Sequence, residues 1–141
     1  MVQHILVPLD GSENSRNALD FAMETFPDAE LTLLNVLEYG KGDIGTFSGM
    51  TGDLPDDASA EELAEEVLND ARQHAEDAGF TVHTEQGTGR PDRLITRKAE
   101  NGEYDIIVMG SHGRSGVSRV LLGSVAEKVV RRSPIPVMVY R

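Results

Sequence analysis

The chain contains no cysteine, which excludes disulfides and thiolate metal sites. No apolar run approaches the ~20 residues that a helix needs to cross a bilayer, so no membrane partner is expected. The opening Met1-Val2-Gln3-His4-Ile5-Leu6-Val7-Pro8 lacks a basic leader and turns directly into a strand pattern, so no signal peptide is expected. Lysine is scarce: ten arginines and three lysines oppose 24 acidic residues, for a formal charge of −11. No basic stripe is evident either. Nucleic acid is therefore not expected as a partner, because a polyanion would meet net repulsion. These absences fit a cytoplasmic protein. Acid-rich, lysine-poor surfaces resemble those of proteins working in high salt, where ions screen self-repulsion. The alternative is an ordinary acidic cytosolic protein, and only the first would lose its circular dichroism at low salt.

What is present suffices for one domain. At 141 residues and 39% hydrophobic content the chain can bury a real core. No internal repeat or boundary divides it, so residues 1–141 are expected to form a single domain.

The periodicity alternates between strand and helix along the whole chain. Gln3 to Leu9 reads as a buried strand, with Ile5-Leu6-Val7 at its centre. Asp10-Gly11-Ser12 turns the chain and offers a helix N-cap at Asp10 or Ser12. The helix runs to Phe26 with Ala18, Leu19 and Ala22 inward, and Pro27-Asp28 stops it. Leu31 to Leu37 is a second buried strand. The stretch from about 38 to 57 is rich in glycine and polar residues and reads as a flexible loop, either a lid or a solvated connector. Ser59-x-x-Glu62 has the form of a capping box. The helix after it carries Ala60, Leu63, Ala64, Val67, Leu68, Ala71, Ala75 and Ala78 on one stripe, and Gly79 closes it. Phe80 to Glu85 reads as a polar edge strand. A short helix follows, with Pro91 in its first turn and Leu94, Ile95 and Ala99 inward. Asp105 to Met109 is a fourth strand. The last helix is expected to bury Val120, Leu121, Val125, Val129 and Val130, and Pro136 to Tyr140 is a fifth strand. Short apolar strands alternating with helices predict an α/β fold, a doubly wound parallel sheet with helices on both faces. Ligands of such sheets bind beyond the strand carboxyl ends, where strand order reverses.

The most informative stretch follows the fourth strand: Met109-Gly110-Ser111-His112-Gly113-Arg114-Ser115-Gly116, then Gly123-Ser124 at a helix start. Glycines allow close backbone approach. The unpaired N–H groups of a helix start, with its dipole, can cradle an anion. Ser124 could be the N-cap or present its hydroxyl, and Arg114 and Arg119 are either phosphate donors or solvated surface charges. No lysine follows a glycine, which excludes the Walker A loop, and Gly87-Thr88-Gly89 lacks the third glycine of a dinucleotide fingerprint. A receiver-type phosphoacceptor needs a second acid beside Asp10 and an aspartate after the third strand, where Glu85-Gln86-Gly87 stands instead.

The spacing Gly-x2-Gly-x9-Gly-Ser, from Gly110 and Gly113 to Gly123-Ser124, together with Val7 to Ser12, resembles the ATP-binding class of the universal stress protein family. The resemblance spans nearly the whole chain. It implies a five-stranded sheet of order 3-2-1-4-5, like that of the adenine nucleotide alpha hydrolases. It implies a nucleotide pocket at Pro8, Leu9, Asp10, Val36, Met109, Gly110, Gly113, Arg114, Gly123, Ser124 and Val125. Val36 matches the position whose backbone contacts adenine, and Asp10 lies beside the nucleoside, where it could hold Mg²⁺ or Mn²⁺ or a ribose hydroxyl. Asn35 departs from the histidine common at its position. ATP is the implied cofactor, and the implied role is a stress or signalling module with little or slow hydrolysis and a signalling partner left unknown. No catalytic residue is assigned, since phosphoryl transfer needs more than Asp10 supplies. The alternatives are a slow ATPase and a dimeric scaffold that binds no nucleotide. A homodimer through Pro136 to Tyr140 is also implied, and an exposed apolar edge invites such pairing.

Overall fold

The computed structural model describes residues 2–38, 57–111 and 122–141. Nine elements alternate along the chain: β1 (His4–Pro8), α1 (Glu13–Thr25), β2 (Glu30–Leu37), α2 (Asp57–Asp77), β3 (Val82–Thr88), α3 (Pro91–Asn101), β4 (Ile106–Gly110), α4 (Ser124–Arg132) and β5 (Val137–Tyr140). The strands form one parallel sheet in the order β3-β2-β1-β4-β5. This is the architecture and strand order expected above.

Side-chain alternation along each strand divides the apolar residues between two layers. Ile5, Val7, Leu31, Leu33 and Val108 face one side with Leu19 of α1 and Leu68 of α2. Leu6, Leu34 and Ile107 face the other with Ile95 of α3 and Val129 of α4. Sheets covered on both faces need strands apolar on both faces, which is why β1 reads as a continuous run. In α2 the stripe Ala64, Leu68, Ala71, Ala75 is buried. Gly79 then takes φ +96°, the left-handed value a helix stop of this kind requires.

Four local expectations change. The Ser59 capping box is not the helix start, because α2 already begins at Asp57 and Ser59 lies in its first turn. Ala78 falls past the end of α2 and is exposed. Strand β3 runs on to Thr88 instead of ending at Glu85, because β2 offers it partners as far as Leu37. Val130 is 45% exposed, whereas Ala126 is buried beside Val129. At 100° per residue the inward line of this short helix lies between 126 and 129, which turns Val130 outward. Val120, Leu121 and residues 39–56 lie outside the described residues.

Strand β3 is an edge, and Glu85 on it pairs with Lys98 of α3. Charge at an edge discourages further strand pairing. At the amino ends of the central strands, Asp105 joins the starts of β1 and β4. Its carboxylate accepts the backbone N–H groups of Gln3 at 2.8 Å and His4 at 3.0 Å. Those two hydrogen bonds, Gln3 first, hold its pKa below the ordinary aspartate value. The resulting stability is present above the unfolded-state pKa, about 4, and is lost as pH falls through the lower folded-state value. Asp105→Asn should therefore lower stability to urea at pH 7, with the gap to wild type closing below pH ~4. A gap that stays constant with pH would refute the role given to this carboxylate.

Candidate functional site

Strands β1 and β4 are neighbours, so the strand order reverses between them and their carboxyl ends open on one crevice. Asp10 leaves β1 on one side of it, and Gly110 ends β4 on the other.

The β1 side is a tight turn. Leu9 continues the ladder by donating its N–H to the Leu34 carbonyl at 2.8 Å. Gly11 follows at φ +86°, a value that strains any residue with a Cβ. Ser12, not Asp10, is the N-cap of α1: its hydroxyl accepts from the Ser15 N–H at 3.1 Å. Asp10 instead makes an Asx turn, its Oδ1 accepting from the Ser12 N–H at 2.9 Å. The side chain is exposed.

The β4 side is built by backbone. The Ser111 N–H donates to the Tyr140 carbonyl at 2.8 Å, and the Ser111 carbonyl accepts from the Gly123 N–H at 2.6 Å. One residue thus binds the end of β5 to the entry of α4. Gly123 is the N-cap of α4, with extended φ −67° and ψ 165°, and among the described residues no side chain caps the helix. Ser124 is therefore the first helical residue and not the cap. The reason is that the first intrahelical bond runs from Glu127 N–H to the Gly123 carbonyl, at 2.9 Å. The N–H groups of the first turn have no intrahelical acceptor and carry the positive end of the dipole. The Ser124 side chain is exposed beside them.

The remaining positions divide by burial. Pro8, Val36 and Val125 are half-buried, as pocket walls can be. Leu9 and Met109 are buried in the two opposite cores, so any ligand contact they make comes from their backbone. Gly113 and Arg114 lie outside the described residues.

Two residues at the crevice were not legible as partners. A Cβ on Gly110 would lie 2.3 Å from Asn14 Oδ1 and 3.2 Å from the Asn14 backbone carbon. The fold thus already uses this glycine to seat α1 against β4. Asn14 Nδ2 also reaches the Tyr140 carbonyl, at 3.4 Å. Nothing in the spacing of Asn14 announces this, because the contact joins residues far apart in the chain. Asn35 is the second: its Nδ2 donates to the Leu9 carbonyl at 2.8 Å and secures the exit of β1.

Among the described residues no group of three or more His, Asp or Glu side chains could hold a metal ion. Of the described residues at the crevice, Asp10 would be the carboxylate to hold a Mg²⁺ that keeps several waters and takes its other ligands from phosphates.

The family model described as "Universal stress protein family" matches residues 1–141. Universal stress protein MJ0577 of Methanocaldococcus jannaschii is 36% identical over 157 residues, covering 100% of this chain and 96% of the relative. A solved structure of MJ0577 superposes with TM-score 0.81 at 33% identity, covering 99% of this chain and 96% of that one. A universal stress protein in complex with cAMP has TM-score 0.72 at 24% identity, covering 99% and 97%. A universal stress protein family protein from Arabidopsis thaliana with AMP bound has TM-score 0.68 at 16% identity, covering 98% and 90%. At these two identities the likeness is one of fold.

Proposed function

This chain belongs to the universal stress protein family, and from that premise we propose that it binds ATP in the β1/β4 crevice and acts as a stress-response or signalling module. One observation carries the reading: the open carboxylate of Asp10 and the uncapped start of α4 flank the same strand-order reversal. The N–H groups of Ser124 and Val125, in the first turn of α4, suit phosphates, and Gly123 leaves the backbone there without a side chain in the way. Asp10 suits the ribose or a Mg²⁺ or Mn²⁺ bridging to the phosphates. Val36 ends the pocket on the side of the base. The adenine nucleotides in the two relatives of the same fold are consistent with this assignment.

Binding without efficient turnover is the second part of the proposal. Phosphoryl transfer needs a group that orients the nucleophile and carboxylates that hold metal, and we assign only Asp10 at the crevice. The test is isothermal titration with Mg²⁺ and ATP, at low and high salt, on wild type and Gly113→Val. Absence of heat with ATP, ADP and AMP in both salts would overturn nucleotide binding. It would favour a scaffold, a reading supported by the use of Gly110 to pack Asn14.

The proposal extends to a homodimer through β5. All four residues of this edge strand, Val137 to Tyr140, are half-exposed, and Val130 of the adjacent α4 is an exposed apolar side chain. Val139→Glu is expected to move the protein to the elution volume of a monomer. An unchanged volume would refute dimerisation through this strand.

A further inference from the structure

The two sides of the crevice are carried by different pairs of strands. β1 pairs with β4 as far as Leu6 with Ile107. Toward the carboxyl ends, β1 goes on with β2 to Pro8 and Leu34, and the Leu9 N–H still reaches the Leu34 carbonyl at 2.8 Å. β4 goes on with β5 to Gly110 and Tyr140. Asp10 therefore travels with the β1–β2 pair, and the start of α4 with the β4–β5 pair. A ladder of backbone hydrogen bonds fixes strand spacing at ~4.8 Å where it runs. The β1–β4 ladder stops short of the crevice, so the spacing there needs another cause.

Asn14 crosses that gap. It is the second residue of α1, and the start of this helix is tied to the Asp10 side by two hydrogen bonds. The Ser12 N–H donates to Asp10 Oδ1 at 2.9 Å, and the Ser15 N–H donates to the Ser12 hydroxyl at 3.1 Å. On the other side Asn14 Nδ2 donates to the Tyr140 carbonyl at 3.4 Å, and its Oδ1 lies 2.3 Å from where a Cβ on Gly110 would stand. The same Tyr140 carbonyl accepts the Ser111 N–H at 2.8 Å, and the Ser111 carbonyl accepts the Gly123 N–H at 2.6 Å. A chain of contacts thus runs from Asp10 through Asn14 to the residue that opens α4. Phe21, two turns further along α1, adds a ring contact with Tyr140 at 5.6 Å, so the seat of α1 does not depend on the Asn14 donor alone.

We propose that Asn14 is a positioning residue that sets the spacing between Asp10 and the start of α4, and hence the fit of a ligand touching both. The inference rests on the nucleotide reading above and adds a residue that reading leaves out. Asn14 acts through Asp10 and α4 and need not touch the ligand. A triphosphate at α4 whose ribose or metal meets Asp10 has its span fixed by covalent bonds. An error in the spacing then forfeits one of the two contacts. Misplacement by 1 Å can cost about a hundredfold, and loss of one long hydrogen bond should cost less.

The experiment is a double-mutant cycle on Mg²⁺-ATP affinity, by isothermal titration of wild type, Asn14→Leu, Asp10→Asn and the double variant. Leucine keeps the branched shape that lies against Gly110 and lacks the donor. Asn14→Leu is expected to weaken binding about tenfold, with a melting temperature near that of wild type. Asp10→Asn should weaken it by a similar factor. The double variant should fall no more than about twofold below the weaker single variant, because Asp10 contributes only while the spacing is held. Losses that multiply to about a hundredfold would make Asn14 independent of Asp10 and overturn the proposal. Full affinity in Asn14→Leu, or in Asp10→Asn, overturns it while leaving nucleotide binding intact. Absence of ATP binding in wild type overturns both. Should Asn14→Leu fail to fold, Asn14→Ala, which removes the donor without filling its place, goes through the same cycle with the same outcomes.

Discussion

Gly113→Val is expected to weaken ATP binding by about a hundredfold, close to 2.7 kcal/mol, while its melting temperature stays near that of wild type. Gly110→Val is expected to lose both binding and stability. The contrast follows from what each glycine is needed for. On the proposed reading Gly113, through the family resemblance of the motif, faces the phosphates, where a branched side chain would occupy the space an anion needs. Gly110 has a second duty within the protein. Its added Cβ would meet Asn14 Oδ1 at 2.3 Å, Asn14 Cγ at 3.0 Å and the Asn14 backbone carbon at 3.2 Å. The side-chain atoms can swing away, at the loss of the Tyr140 contact. The backbone carbon can move only if the first turn of α1 moves with it. Overpacking of this kind costs about 1–3 kcal/mol, and it would shift the Asp10–Ser12 turn that precedes α1. Thermal unfolding followed by circular dichroism, paired with ATP titration, reads both quantities. If Gly110→Val melts with wild type, the close seating of α1 on β4 is wrong. If Gly113→Val keeps full affinity, the phosphate cradle is wrong.

Ile107→Ala should have the largest effect on stability alone, a loss of about 2–5 kcal/mol in urea unfolding. Ile107 is 0% exposed and is the second residue of β4. It faces the layer of Ile95, Ala126 and Val129, in register with Leu6 of β1 and Val137 of β5. Removing three carbons there leaves a void between sheet and helices that rigid neighbours cannot fully close. Val130→Ala removes similar apolar atoms from a residue that is 45% exposed, and should change stability by no more than about 0.5 kcal/mol. Equal losses in the two variants would contradict the assigned inward face of α4. The ATP affinity of Ile107→Ala should fall with its stability, because β4 carries Gly110 and Ser111 to the crevice.

Most elements were legible because burial leaves a periodic trace. The stripe Ala64-Leu68-Ala71-Ala75 marks a helix packed on one side, and Ile5-Leu6-Val7 marks a strand covered on both. The errors share one cause. Ser59, Glu85 and Val130 sit at element ends or on the margin of a buried face. There the outcome depends on a neighbouring strand's length or on a few degrees of helix rotation, and local pattern is silent about both. The site divides in the same way. The glycine spacing implied the anion cradle that is proposed above, but Gly123 and not Ser124 caps α4, because the cap is set by which carbonyl starts the helical ladder.

By itself, then, the chain determined its alternating elements, its parallel sheet, and the chemistry present at the ends of β1 and β4. These follow from local periodicity, crossover handedness and residue type, all of which act over short stretches. Only the tertiary structure decided that Asn14 closes on Gly110 and that the Asn35 amide donates to the Leu9 carbonyl, its Oδ1 having no partner among the described residues. Contacts between distant residues depend on which strands lie side by side and in what register. That choice is made by the packing of whole faces, and no window of sequence contains it.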